Sequence, residues 1–283
     1  MKSTEWAGQH RNLLVTVLRW VIVAIAGVFF LAPAVWMVGV AFKPASEFFT
    51  DPPTWFSSTP TLEHFQAIFG WDKGARSLVN SLIVASAGTF FAIVIGTPAA
   101  YALARLNKKG DSTSIWFLSQ RLLPPVAVAI PIFLIIGQLG MINTLQGLAL
   151  PYIAISIPYV VWMMRGYMME LPEAIEESAM VDGCSRFETF YRVVLPVVRP
   201  GLLSTAALVY IFIWSEFLLA LFITRTPQSI TAPVQVAFFK AATSTYYGQI
   251  SALSLLAAIP LILIVIAIQR SLVRGLTLGA VKG

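Results

Sequence analysis

Charge is scarce in this 283-residue chain: Asp, Glu, Lys and Arg make up 11% of it, against 58% hydrophobic residues. A typical soluble domain carries roughly 25% charged residues, so this chain cannot cover itself with a water-facing surface and must be solvated partly by lipid. There is one cysteine, Cys184, which excludes an intrachain disulfide, and two histidines, His10 and His64, too far apart in sequence to suggest a metal site. No Gly-x-x-x-x-Gly-Lys-Ser/Thr phosphate loop occurs, so nothing in the chain points to its binding and hydrolysing ATP. Nucleophile, base and orienting group cannot be assembled at any defensible spacing either, which argues against a membrane enzyme. The formal charge of +6 does not indicate nucleic acid, because most Lys and Arg sit at the ends of apolar stretches.

What is abundant is long apolar runs. A spanning helix needs about 20 apolar residues, and six runs come near or reach that length: about 20–41, 77–104, 115–137, 148–164, 201–223 and 250–268. The expected fold is therefore an all-α integral membrane protein of six transmembrane helices in one domain, 1–283, with no large soluble domain. The first run is too long for a signal-peptide core and lacks a small-residue cleavage pattern, so it reads as a retained span. Prolines inside the runs, among them Pro33, Pro98, Pro131, Pro151, Pro158 and Pro260, imply kinked helices whose freed carbonyls are satisfied by neighbours.

Orientation follows from the rule that Lys- and Arg-rich segments stay in the cytoplasm. One side collects Lys2, Arg11, Arg19, Arg105, Lys108, Lys109, Arg165, Arg186, Arg192, Arg199, Arg270, Arg274 and Lys282, while the other has Lys43, Lys73, Arg76, Arg225 and Lys240. Both termini are expected in the cytoplasm of a multi-pass, bacterial-type inner-membrane protein. The first outer loop, about 42–76, is rich in Pro and aromatic residues, which fits either a short interfacial helix near Leu62 to Phe69 or a simple connection.

Between the fourth and fifth runs, residues 170–200 are polar yet patterned, and read as helix, turn, helix. Pro172 suits a first helical turn, and Glu173, Glu176 and Glu177 complement the positive end of the helix dipole. Gly183 is the expected C-terminal stop, where a residue with a β-carbon would lose roughly 1–2 kcal/mol. Ser185 to Glu188 has capping-box spacing, so a second helix is expected over about Arg186 to Val194, ending before Pro196. Ile175, Ala179 and Met180 would form an apolar knob flanked by carboxylates, shaped to dock into a partner's groove. Such an element lying on lipid is the other reading, but Glu173, Glu176, Glu177, Asp182 and Glu188 would be repelled by anionic headgroups.

Glu177-Ser178-Ala179, three residues, Gly183, nine residues, then Val193-Val194-Leu195-Pro196 resembles the EAA signature of ABC importer permeases, with Ser178 and Val193 replacing the usual Ala and Ile. Asn80-Ser81, Trp214-Ser215-Glu216-Phe217 and the ending Arg274 to Gly283 are similar to the carbohydrate-uptake group, specifically its shorter maltose-type permease, along about the whole chain. The resemblance implies a permease subunit of an ATP-driven, binding-protein-dependent importer of a sugar or sugar-like solute. It implies three partners: an ATP-binding cassette ATPase dimer, a second homologous permease subunit, and an extracytoplasmic solute-binding protein. ATP and Mg belong to the cassette, and no cofactor is expected on this chain. The coupling residues implied are Glu173, Glu176, Glu177, Ser178, Ala179, Met180, Asp182 and Gly183.

For a solute pathway the informative residues are ionisable groups within apolar runs, since a charge at the bilayer centre costs about 2.5–3.5 kcal/mol on insertion scales. Glu216 and Arg121 qualify, with Asn80, Gln120 and Trp214 as possible companions. For Asn80 and Trp214 the competing reading is helix packing, and for Arg121 it is snorkelling to an interface. A proton-coupled secondary transporter of a small polar solute, with Glu216 as its proton site, is the alternative function.

Overall fold

The computed structural model describes residues 3–70, 73–105, 116–117, 119, 124–240 and 246–278, and these residues are folded as helices and connections. In chain order the helices are α1 (Ser3–Ala41), α2 (Glu63–Gly70), α3 (Lys73–Arg105), α4 (Pro125–Gln138), α5 (Leu145–Met169), α6 (Glu173–Val181), α7 (Arg186–Val197), α8 (Arg199–Trp214), α9 (Leu218–Ile223), α10 (Ala232–Phe238) and α11 (Tyr247–Leu278). Helix α2 falls where the first outer loop was expected to carry an interfacial helix.

Among the described residues, four stretches are continuous helices long and apolar enough to cross a bilayer: Val15–Ala41, Gly74–Arg105, Leu145–Met169 and Tyr247–Gln269. The remaining two apolar runs are built differently. Helix α4 has 14 residues, about 21 Å at 1.5 Å per residue, and the first part of the expected run at 115–137 lies largely outside the described residues. The run expected as one span over 201–223 is two helices, α8 and α9, parted at Ser215–Phe217. The break has an identifiable cause: Glu216 turns its carboxylate onto the backbone N–H groups of Leu219 (3.0 Å) and Ala220 (3.3 Å), starting a new helix instead of continuing the old one.

Helix α7 also departs from expectation. It does not stop before Pro196 but runs on to Val197, then bends by 77° into α8. A π-helical turn, Phe190–Val194, makes this possible. There the Leu195 N–H reaches back to the carbonyl of Phe190, so the wider turn accepts Pro196, which has no N–H to contribute and whose ring would clash in a regular ladder.

The chain forms two compact units, residues 1–70 with 239–255, and residues 71–238 with 256–283. In the second, α3 is the central element and packs chiefly on α5 and α8. Val84, Ala85, Ala92, Ala100, Leu148, Val160, Met164, Met168, Val209 and Ile213 form its buried core. Small residues on α3 permit the approach: a β-carbon at Gly96 would lie 2.7 Å from Val160 Cγ1, and one at Gly88 would lie 2.8 Å from Ile213 Cδ1. Association of helices within lipid depends on such close van der Waals packing, because lipid tails are as apolar as leucine. Gly96→Val is therefore expected to force α3 from α5 and cost about 1–3 kcal/mol, read as a lowered thermal midpoint of the detergent-solubilised chain.

Candidate functional site

The polar segment between α5 and α8 has the helix–turn–helix form expected from its caps. Helix α6 ends in a Schellman motif, with the Cys184 N–H on the Ala179 carbonyl (3.0 Å) and the Gly183 N–H on the Met180 carbonyl (3.1 Å). Gly183 sits at φ +95°, a conformation that side chains with a β-carbon rarely adopt. Helix α7 starts with a complete capping box, in which the Ser185 hydroxyl accepts from the Glu188 N–H (3.3 Å) and Glu188 accepts from the Ser185 N–H (3.0 Å). The Ser185 N–H and the Ser185 hydroxyl (2.9 Å), both donating to the Glu188 carboxylate, together with Arg192 at 3.6 Å, hold the Glu188 carboxyl below its ordinary value.

The acidic residues of α6 do not all face out. Glu176, expected among the docking carboxylates, points inward and is 4% exposed. Its Oε1 accepts from Arg105 Nε at 2.7 Å and its Oε2 from the Tyr101 hydroxyl at 2.9 Å. Arg105 goes further and donates from Nη2 to the carbonyls of Met168 (2.7 Å) and Leu171 (2.9 Å), which close the end of α5. One guanidinium thus joins the last turn of α3, the last turn of α5 and the first turn of α6. A buried carboxylate demands such a partner, since an unpaired one costs several kcal/mol. Arg105 entered the sequence reading only as an orienting charge, and Tyr101 did not enter it. The available signal was their i, i+4 spacing, which puts a phenol and a guanidinium on one helix face.

With Glu176 turned in, the outward face of α6 is carried by Glu173, Ile175, Glu177, Ser178, Met180, Asp182 and Gly183, all exposed, with Ala179 half-buried. Val181, 87% exposed, and Phe187, 70% exposed, extend the apolar ridge across the turn. An exposed ridge of this kind on a helix fixed at both ends is a shape for a complementary groove.

A second polar group lies at the break between α8 and α9. Besides capping α9, the half-buried Glu216 carboxylate accepts a hydrogen bond from the Tyr152 hydroxyl of α5. Trp214, expected beside it on a solute pathway, is 4% exposed and donates its indole N–H to the Ala257 carbonyl (3.1 Å). Asn80 is fully buried, its amide donating to the carbonyls of Ile230 (2.8 Å) and Pro227 (3.2 Å), while Ser81 accepts from the Ala232 N–H (2.9 Å). For both residues the packing role is the one the geometry expresses. Gln120 and Arg121 lie outside the described residues.

Asn143, absent from the sequence reading, ties the turn between α4 and α5 to the loop after α9. Held at φ +62°, it donates its N–H to the Ile223 carbonyl (2.8 Å). Its Oδ1 accepts from the N–H groups of Arg225 and Thr226 (both 2.9 Å) and from the Ser229 hydroxyl. Asn is one of the few residues that visit the left-handed region readily.

Arg105→Ala leaves the Glu176 carboxylate buried without its charge partner, and a loss of about 3–5 kcal/mol is expected, measured by denaturation in detergent; the exchange of Arg105→Glu with Glu176→Arg should recover part of it. Ser185→Ala, which removes one cap of α7, should cost only about 1 kcal/mol. Because the Glu188 carboxyl is depressed in the folded state, its stabilisation is present above the ordinary carboxylate value and is lost as pH falls through the depressed one. Amide-exchange protection at the start of α7 should therefore drop on strong acidification and stay flat around neutrality.

Comparison with known proteins gives this arrangement its context. The diacetylchitobiose uptake system permease protein DasC of Streptomyces coelicolor is 36% identical over 252 residues, 89% of this chain and 91% of the relative. The trehalose transport system permease protein SugB of Mycobacterium tuberculosis is 36% identical over 256 residues, covering 89% and 93%. A solved bacterial ABC transporter involved in the import of the acidic polysaccharide alginate contains a chain with the same fold, at a TM-score of 0.73 and 17% identity, with 92% of this chain and 97% of that one aligned. The family model described as binding-protein-dependent transport system inner membrane component matches residues 92–278, from the middle of α3 to the end of α11 and including the whole α6–α7 element, and the chain belongs to that family.

Proposed function

We propose that this chain is one permease subunit of an ATP-driven importer for a sugar or sugar-like solute, forming half of the transmembrane pathway with a second, homologous permease subunit. Relatives named for the uptake of diacetylchitobiose and trehalose support the solute class. In this reading an extracytoplasmic binding protein delivers the solute and an ATP-binding cassette dimer, which uses ATP and Mg, supplies the energy. The observation that carries the proposal is the α6–α7 element, whose inner carboxylate is locked to Arg105 while its outer face presents Ile175, Met180 and Val181.

That division of labour suits mechanical coupling. Glu173, Glu177, Ser178, Ala179, Met180, Asp182 and Gly183 meet the cassette, and Glu176 passes the displacement inward to the ends of α3 and α5. Closure of the cassettes then moves packed helices as rigid pieces, with no chemistry on this chain. On the solute side Glu216 is the residue we assign to the pathway, because it lies half-buried at a helix break, where irregular backbone in a membrane protein lines a cavity or is enclosed by protein. Asn80 and Trp214 support the walls of that pathway by packing, and Gln120 and Arg121 complete the set read from the sequence.

Gly183→Pro tests the docking role, since proline fixes φ near −65° and lacks the N–H that bonds the Met180 carbonyl. The tagged wild-type chain, purified in mild detergent, is expected to retain a cassette ATPase and a second permease in stoichiometric amounts. The variant should lose the cassette, keep the permease and show no ATP-dependent uptake. A folded wild-type chain that carries solute in liposomes without ATP, driven by a proton gradient, would overturn the proposal and place Glu216 at a proton-coupled site.

A further inference from the structure

The first compact unit contains a cavity that the coupling element and the helix break leave unused. About 550 Å³ in volume, it is lined by Ala45, Phe48, Phe49, Glu63, His64, Ala67, Tyr246, Tyr247 and Gln249, on the side that the basic-residue asymmetry places outside the cytoplasm. Its walls are built to hold shape. The His64 ring lies against Gly248, where a β-carbon would sit 2.2 Å from Nε2, and it is 3% exposed. His64 Nε2 is 2.9 Å from the Lys43 carbonyl, which can only accept, and 3.6 Å from Glu63 Oε1, so this nitrogen faces two acceptors. Lys43 is itself buried, with Nζ on the Thr54 carbonyl and hydroxyl and 5.3 Å from the centre of the Trp36 ring.

On this base three further aromatic rings are arranged, one stacked on His64 and the others edge-on in succession. Phe48 stacks on His64 at 5.7 Å, and Tyr247 meets Phe48 at 76° and Phe49 at 81°. Phe49 is 81% exposed despite its edge-on contact with Tyr247, an unusual amount of open apolar surface for a phenylalanine. The polar lining combines a carboxylate acceptor (Glu63), an amide that both donates and accepts (Gln249) and two phenols (Tyr246 and Tyr247).

We infer that this pocket binds one ring of a neutral saccharide, a site on the outer side distinct from the pathway at Glu216. The inference rests on the proposed function for its solute class. An aromatic cage beside a carboxylate also fits a quaternary ammonium ion, but its charged centre neither donates nor accepts a hydrogen bond, and most of the amide and phenol capacity would go unused. A pyranose uses all of them: its C–H faces lie on the rings, and its hydroxyls both donate to Glu63 and accept from Gln249 and the tyrosines. The volume is that of a small-molecule site.

Saturation-transfer NMR on the full chain in nanodiscs, with trehalose and diacetylchitobiose as sugar probes and choline as the cationic one, tests the assignment. Ring protons of at least one sugar should receive saturation from the wild type and lose most of it in Phe49→Ala, a substitution at an exposed position that spares the fold. Glu63→Gln should weaken binding of that sugar by about tenfold, the scale of a lost hydrogen bond to a charged group, while leaving the transfer at saturating sugar intact. Transfer to choline alone, to neither sugar, or equally to sugar in wild type and Phe49→Ala overturns the site. Uptake of the same sugars by cells with and without the chain reads the proposed function separately: uptake without transfer rejects the pocket alone, and absence of both rejects the pocket and the sugar reading together.

Discussion

A guanidinium buried at the end of α3 sets the terms for the rest of the second unit. Arg105 lies among the ends of three helices, where Nε donates to Glu176 Oε1 and Nη2 to the carbonyls of Met168 and Leu171. Buried ion pairs contribute little net stability compared with apolar residues of the same volume, and their value is in specifying one arrangement, because removal of either partner strands a charge. Here the arrangement specified is the pose of α6. The Schellman turn and the capping box fix the angle between α6 and α7, but neither reaches the membrane helices, whereas the Arg105–Glu176–Tyr101 cluster does so with hydrogen bonds. If α6 meets a cassette, this cluster is the path by which its displacement becomes a displacement of α3 and α5.

The local part of this element was legible because its signals are local. A Ser three residues before a Glu, a Gly in a left-handed turn and a Pro before the first helical residue each act within one or two turns, and all are found in the structure. What the sequence did not disclose was the facing of α6. The dipole argument favours carboxylates in a first turn whichever way they point, so it accounts for Glu173, Glu176 and Glu177 alike and cannot single out the one that is buried. That choice is made by Arg105, more than sixty residues away in the chain.

The same limit explains the break in the fifth apolar run. Residues 201–223 contain no proline or glycine beyond the first position, and by composition alone they read as one helix. Glu216 divides them because a carboxylate in an apolar run must find donors, and the nearest are the backbone N–H groups that open when the helix is interrupted. The presence of an awkward charge was visible; the way the chain accommodates it depended on Tyr152, contributed by another helix. At Pro196 the opposite happened, and a residue that ought to stop a helix was absorbed by a π turn.

Polar satisfaction thus shapes this membrane protein at three levels of its second unit, and each level is built from different chemistry. The end near α6 is held by charge, the middle by a carboxylate shared between a phenol and two backbone N–H groups, and the loops beyond α9 by the neutral fan of hydrogen bonds around Asn143. Between them α3, with glycines where its neighbours come closest, supplies packing that is indifferent to polarity. Charge pairing resists separation most strongly, since parting it exposes two ions to an apolar surrounding, whereas the amide contacts of Asn143 are exchangeable for water. In the proposed coupling, a displacement applied to α6 would leave the Arg105 cluster intact and be accommodated where the bonds are neutral or the helix is already interrupted, at Glu216 and Asn143. Strong contacts at one end and replaceable ones at the other suit the lever that the proposed coupling calls for, and both follow from where the few polar residues of this unit find partners.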